Sequence, residues 1–148
     1  MVIDNLTEMK HFGFGLMRLP YLDGDNTKID FDQFEKMVDA YMEKGFVYFD
    51  TAYPYYKGFS EKAVKKVLTE HYDREDFLLA DKLPAWSLKT KEDVQTIFDE
   101  QLERTGAGFF DFYLLHSVEK KWYSVYEKYD CFNWAMKQKE RFGHERKE

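Results

Sequence analysis

Cysteine occurs once in the 148 residues, at Cys131, so the chain can form no internal disulfide and no cysteine-ligated zinc site or cluster. Long apolar runs are also missing. None approaches the 18 residues that a membrane span requires. Met1-Val2-Ile3-Asp4-Asn5 has neither a basic flank nor an apolar stretch, so no signal peptide is expected, and a reducing cytoplasm is the expected setting. Lys and Arg are outnumbered, 22 against 28 Asp and Glu, and form no stripe, which argues against nucleic acid as a partner. His11, His71 and His144 have no ligand at metal spacing, so no metal site is expected. Apolar residues are plentiful at 44%, and 19% of the chain is aromatic, enough for a core and too much for general disorder. The length suits one domain over residues 1–148.

Four short apolar runs recur. They begin at Phe12, Phe46, Phe77 and Phe110, with steps of 34, 31 and 33 residues. A period of that size marks a repeated supersecondary unit. The runs read as strands covered on both faces. Helical patterns lie between them. Asp30 with Gln33 opens the first, whose apolar face is Phe31, Phe34, Met37, Val38, Tyr41 and Met42, and Gly45 stops it. Ser60 opens the second over Ala63, Val64, Val67 and Leu68. Thr90 with Asp93 opens the third over Val94, Ile97, Phe98 and Leu102, and Gly106 ends it. The fourth runs from about Lys121 to Arg141, with a bend or split at Asp130 to Asn133.

Four βα units of this kind demand right-handed crossovers and a parallel α/β sheet, either open and doubly wound or part of a (β/α)8 barrel. Gly13-Phe14-Gly15-Leu16-Met17-Arg18 supplies two glycines of the dinucleotide fingerprint, but Arg18 stands where the third belongs, which argues against the open sheet. Its glycines let the strand twist or approach a ligand. In a barrel, function gathers at the carboxyl ends of the strands. Asp50, Lys82 and His116 follow runs two, three and four, and should converge there. Thr51-Ala52-Tyr53-Pro54-Tyr55-Tyr56 adds phenols at the same pole, with Tyr53 and Tyr56 expected to pack on the rim. A tyrosine titrates near ~10, and an adjacent ammonium favours its phenolate. Asp, Lys and Tyr together form a proton-donor relay, and a histidine can hydrogen-bond a substrate carbonyl.

These residues carry a resemblance. Gly13-Phe14-Gly15-Leu16-Met17-Arg18-Leu19-Pro20, Phe49-Asp50-Thr51-Ala52-Tyr53-Pro54-Tyr55, Ala80-Asp81-Lys82-Leu83-Pro84 and Asp111-Phe112-Tyr113-Leu114-Leu115-His116 resemble the aldo-keto reductases in wording, order and strand context. The resemblance implies a (β/α)8 TIM-barrel fold and a catalytic tetrad of Asp50, Tyr55, Lys82 and His116. It implies hydride transfer from NADPH (or NADH) to a small aldehyde or ketone, with Tyr55 as proton donor and Met17, Arg18 and Asp50 beside the cofactor. Met-Arg-Leu-Pro is similar to a branch carrying a ferredoxin-like iron–sulfur region, and one cysteine cannot ligate that cluster.

The resemblance covers roughly residues 10 to 140, about half of such a barrel, so the expectation is a half-barrel of four βα units. Met136 to Gly143 resembles the approach to a fifth strand, and the charged His144 to Glu148 do not continue it. Most of the family's cofactor contacts belong to the other half. Two roles follow: the N-terminal half of a reductase, or a catalytically silent fragment persisting as a self-associating module. In either, sheet edges at strands one and four would expose Phe12, Phe14, Phe112, Tyr113 and Leu114, blunted in strand four by Asp111 alone. They call for self-association or a complementing half-barrel.

Overall fold

The computed structural model describes residues 9–145, with side chains through residue 142. The expectations for residues 1–8, for the His144 side chain and for residues 146–148 lie outside them. Four strands, β1 (Gly13–Gly15), β2 (Tyr48–Asp50), β3 (Leu78–Pro84) and β4 (Phe112–His116), form one parallel sheet in the order β1-β2-β3-β4. Helices α1 (Phe31–Glu43), α2 (Phe59–Val64), α3 (Glu92–Thr105), α4 (Lys120–Lys128) and α5 (Cys131–Glu145) follow the strands, α2 continuing as a π turn over Lys65–Thr69. This is the four-unit arrangement that the repeat predicts, and the half-barrel that the resemblance implies. No described helix is long and apolar enough to cross a membrane.

Helix boundaries follow local chemistry. The Asp30 carboxylate accepts the Gln33 N–H at 3.0 Å and starts α1. At α3 the cap position is Lys91 rather than Thr90, and the Asp93 carboxylate folds the incoming chain onto the first turn by accepting the Lys89 and Thr90 N–H groups. Gly106, at φ +63°, closes α3 with its N–H on the Leu102 carbonyl. Asp130, also left-handed, splits the fourth helical pattern into α4 and α5. Ser60 is not a cap. Its buried hydroxyl bridges Thr51 Oγ1 and the Leu16 carbonyl, tying α2 to the ends of β1 and β2. Residues 136–143 are helical rather than a turn towards a fifth strand.

Side chains alternate along a strand, and the register sorts them into two faces. Phe14, Phe49, Leu79, Leu83 and Tyr113 face the helices. There Phe49 packs with Phe34, Val38, Val64 and Leu68, and Leu83 with Val94, Ile97 and Tyr126. Gly13, Gly15, Tyr48, Asp50, Lys82, Phe112, Leu114 and His116 share the other face, the barrel lumen. The two-sided covering expected holds for β3, where Leu78, Ala80 and Pro84 on the lumen face are as buried as Leu79, Asp81 and Leu83 on the other, whereas β4 is only partly covered and Leu114 remains 40% exposed. Tyr113 is not bared at the edge; it lies under Phe98 and Trp134. A Cβ on Gly13 would come 3.0 Å from the Tyr48 ring, so glycine there lets that ring fill the lumen floor. Met37, assigned to the α1 core face, is exposed.

Asp111 has a structural duty rather than an edge-blunting one. Its Oδ2 accepts from Arg74 Nη2 at 2.6 Å and from the Leu79 N–H at 2.8 Å, and its side chain is 2% exposed. Arg74 also donates to the carbonyls of Phe77, Ala107 and Phe109. One guanidinium thereby joins the entrances of β3 and β4. Removing one partner of such a pair strands a buried charge. Arg74→Met is expected to cost about 3 to 5 kcal/mol in urea unfolding. A loss below about 1 kcal/mol would class the pair with exposed ones.

Candidate active site

Asp50 and His116 are the last residues of β2 and β4. Lys82 was expected just past its strand, but β3 runs on through it to Pro84, pairing with β4 where the shorter β2 has already ended. Being inside a strand gives Lys82 a fixed backbone direction. Its ammonium bonds Asp50 Oδ1, reaches the Thr51 carbonyl at 2.6 Å, and lies 3.3 Å from the Tyr55 hydroxyl. The Lys82 side chain is 11% exposed, so the ion pair is poorly screened.

Tyr55 is delivered by a tight turn over Tyr55–Gly58. Tyr56 and Lys57 adopt φ of +50° and +54°, which costs non-glycine residues roughly 1–2 kcal/mol each. The turn is held by Tyr56 Oη, which accepts the Leu19 N–H at 3.0 Å, and Tyr53 Oη donates to Glu100 Oε2 at 2.9 Å. Both phenols serve the rim, as expected. Tyr55 lies with its ring centroid 4.8 Å from Lys82 Nζ and 6.0 Å from the His116 ring.

His116 has Nδ1 buried with no hydrogen-bond partner. Burial, and then the Lys82 charge, lower its pKa below the ordinary 6.5. The imidazole is therefore neutral near pH 7. Its main chain is fixed by Tyr126, whose single phenolic proton faces the carbonyls of Leu83 and His116 while its oxygen accepts the Ala85 N–H. Cys131 is buried beside Tyr126, and desolvation raises its thiol to about 11, an inert packed group as expected.

Sequence reasoning missed Trp86. A short 3-10 turn, Ala85–Ser87, follows β3 and sets the indole 5.0 Å from the His116 ring and 5.8 Å from Trp122. Trp86 is 41% exposed, a large apolar surface left open at the mouth of the site. Its position two residues after Pro84 was the available signal. Met17 and Arg18 are exposed in the bend after β1, and open space stands where a Gly15 side chain would lie.

The model of the "Aldo/keto reductase family" matches residues 11–140. The chain belongs to that family. Solved structures agree in fold. An aldo-keto reductase from Klebsiella pneumoniae in complex with NADPH superposes with a TM-score of 0.60 at 21% identity, over 81% of this chain and 41% of that one. The holo form of an aldo-keto reductase from Bacillus halodurans gives 0.55 at 26% identity, over 70% and 35%. An aldo/keto reductase from Brucella melitensis gives 0.59 at 23%, over 87% and 44%. This aldo/keto reductase chain thus spans about half, or less, of the structures it matches. No curated protein matches it.

The direction of the His116 shift has a testable sign. The fold disfavours protonation, so stability rises with pH between the lowered folded value and about 6.5, and that increment is absent from His116→Asn. In an NMR titration the His116 ring is expected to titrate below 6.5, and Lys82→Met to move it upward by removing the second cause. A midpoint at or above 6.5 would contradict the neutral imidazole.

Proposed function

We propose that this chain carries the proton-transfer machinery of an NAD(P)H-dependent aldehyde or ketone reduction. One observation supports the reading above the others: the Lys82 ammonium touches Asp50, the Thr51 carbonyl and the Tyr55 phenol, beside His116. When bound, NADPH or NADH would supply a hydride to the carbonyl carbon. Tyr55 Oη gives its proton to the carbonyl oxygen, completing the alcohol. Lys82 stabilises the phenolate left behind, and Asp50 holds the ammonium in place. Neutral His116 orients the carbonyl by hydrogen bonding. Trp86 and Trp122 offer the substrate's apolar part a flat wall. Met17, Arg18 and Asp50 are the residues of this chain that would flank the cofactor, and the open space before Gly15 suits the close approach of its reactive ring.

A second reading, an associating half-barrel, has its own observation. β1 and β4 each have one strand neighbour among the described residues, and Phe12 and Leu114 are 64% and 40% exposed. Full burial of such a side chain is worth roughly 1.5–3 kcal/mol, and about half of it is unrealised at each. The partner is a second half-barrel, from another copy or a different chain, in a reducing cytoplasm that suits a lone thiol. Such a partner would also complete the cofactor's binding surface.

Expected outcomes separate the two. In fluorescence titration the 148-residue chain alone binds NADPH weakly, and light scattering shows an assembly. With a complementing half supplied, carbonyl reduction appears and Tyr55→Phe lowers it by about 10² to 10⁴ while the fold persists. Tyr53→Phe is mild, because its hydroxyl serves Glu100. Full activity in Tyr55→Phe overturns the proton-donor assignment. A folded monomer that binds NADPH tightly removes the need for a second half.

A further inference from the structure

On the face of β3 opposite Lys82 lies a buried polar cluster that carbonyl reduction does not use. Asp81 and, from α2, Glu61 are both 0% exposed. One oxygen of each carboxyl is satisfied. Glu61 Oε2 accepts from Arg104 Nη1 at 3.0 Å, and Asp81 Oδ1 accepts the Lys82 N–H at 2.8 Å. The other two oxygens, Glu61 Oε1 and Asp81 Oδ2, are buried and make no hydrogen bond, though the Gln101 amide lies close enough to influence Glu61. An unpartnered buried carboxylate oxygen is costly, and two facing carboxylates repel. Both problems vanish if one acid carries a proton and donates it to the other.

The surroundings decide which acid that is. Arg104, reaching in from α3 and shared with Glu100, offsets a charge on Glu61. Asp81 has no such partner. The Lys82 ammonium is turned into the lumen towards Asp50, and Tyr113 of β4 is a neutral phenol bonded to Gln101 Oε1. Burial, and next the Glu61 charge, push the Asp81 carboxyl well above its ordinary 3.8; burial raises Glu61 as well, but Arg104 and Gln101 draw it part of the way back, and Asp81 has no arginine to do so.

The cluster grips the main chain of Lys82 at both ends. Pairing with β2 stops at Ala80, opposite Asp50, and the Asp81 carboxyl takes the Lys82 N–H. Gln101 Nε2 donates to the Lys82 carbonyl at 3.2 Å. We propose that Asp81 is protonated at neutral pH, that its Oδ2–H donates to Glu61 Oε1, and that this shared proton makes Asp81 and Glu61 positioning residues for Lys82. The positioning role rests on the reduction reading of Lys82; the shared proton does not.

The test uses the folded 148-residue chain and needs no turnover, so a chain that reduces no carbonyl leaves it unaffected. At neutral pH, infrared spectra are expected to show a carbonyl stretch of a protonated carboxylic acid that shifts on deuteration and is absent from Asp81→Asn. The asparagine keeps both bonds, Oδ1 to Lys82 and Nδ2–H to Glu61, so that chain remains folded. Its stability should also lose the wild-type decline with rising pH above the ordinary value of 3.8, because a raised carboxyl favours the fold only while it keeps its proton. The Lys82 ε-methylene NMR signal, identified by Lys82→Arg, should stay in place in Asp81→Asn and move towards the solvent-exposed lysines in Asp81→Ala, or in Asp81→Ser if the alanine chain does not fold. No protonated-acid band that Asp81→Asn removes, or a band lost only in Glu61→Gln, overturns the assignment of the proton. An unmoved Lys82 signal in the folded alanine or serine chain overturns the positioning role.

Discussion

One ammonium group organises the carboxyl pole of this sheet. Lys82 Nζ bonds a side chain from β2, a carbonyl of the following segment and the phenol of the next turn. A cation with so little water around it is tolerable only if those oxygens are already in place. The requirement propagates outward. Asp50 is placed by the β2 register, Thr51 by its N–H on the Ala80 carbonyl and its hydroxyl on Ser60, and Tyr55 by a turn whose strained residues are anchored through Tyr56. The apolar core beneath is what allows these anchors to be rigid.

Much of this was legible in the sequence because it is local. Strand spacing, the Asp30 cap, the Gly106 stop and the interruption at Asp130 each depend on a few adjacent residues. Asp50, Lys82 and His116 were legible as polar groups placed after apolar runs, while Tyr55 was set apart from its neighbouring tyrosines only by the resemblance. Strand three was read too short for the same reason: Asp81 and Lys82 look like the start of a loop, yet one turns to a buried acid and the other to the lumen. Asp111 looked like a charge meant for solvent. Its partner, Arg74, is 37 residues away and no local pattern links them. Trp86 was missed because a 3-10 turn, not a periodic element, aims it, and its place just after Pro84 was the one clue.

The two faces of the sheet have different chemistry within one alternating pattern. On the helix face, Phe49, Leu79 and Leu83 are nearly inaccessible, and the buried charged groups there are Asp81 and Glu61. On the lumen face, Asp50, Lys82 and His116 alternate with small or aromatic residues, and groups stay partly accessible. A single strand can therefore hold Lys82 from behind while presenting it in front. Membership of the aldo/keto reductase family fits this division, since barrel folds place rigidity in the helix layer and chemistry at the strand ends.

The Arg74–Asp111 ion pair sits at the opposite pole from the ammonium. Asp111 fixes the Leu79 N–H, and Lys82 lies three residues along, roughly 10 Å up the strand. Groups that far apart without a common partner contribute almost independently. Robustness and reactivity thus occupy separate addresses on one strand. A lineage could rewrite the mouth of this protein, its tryptophans and its tyrosine turn, while the knot at the base continues to carry the fold.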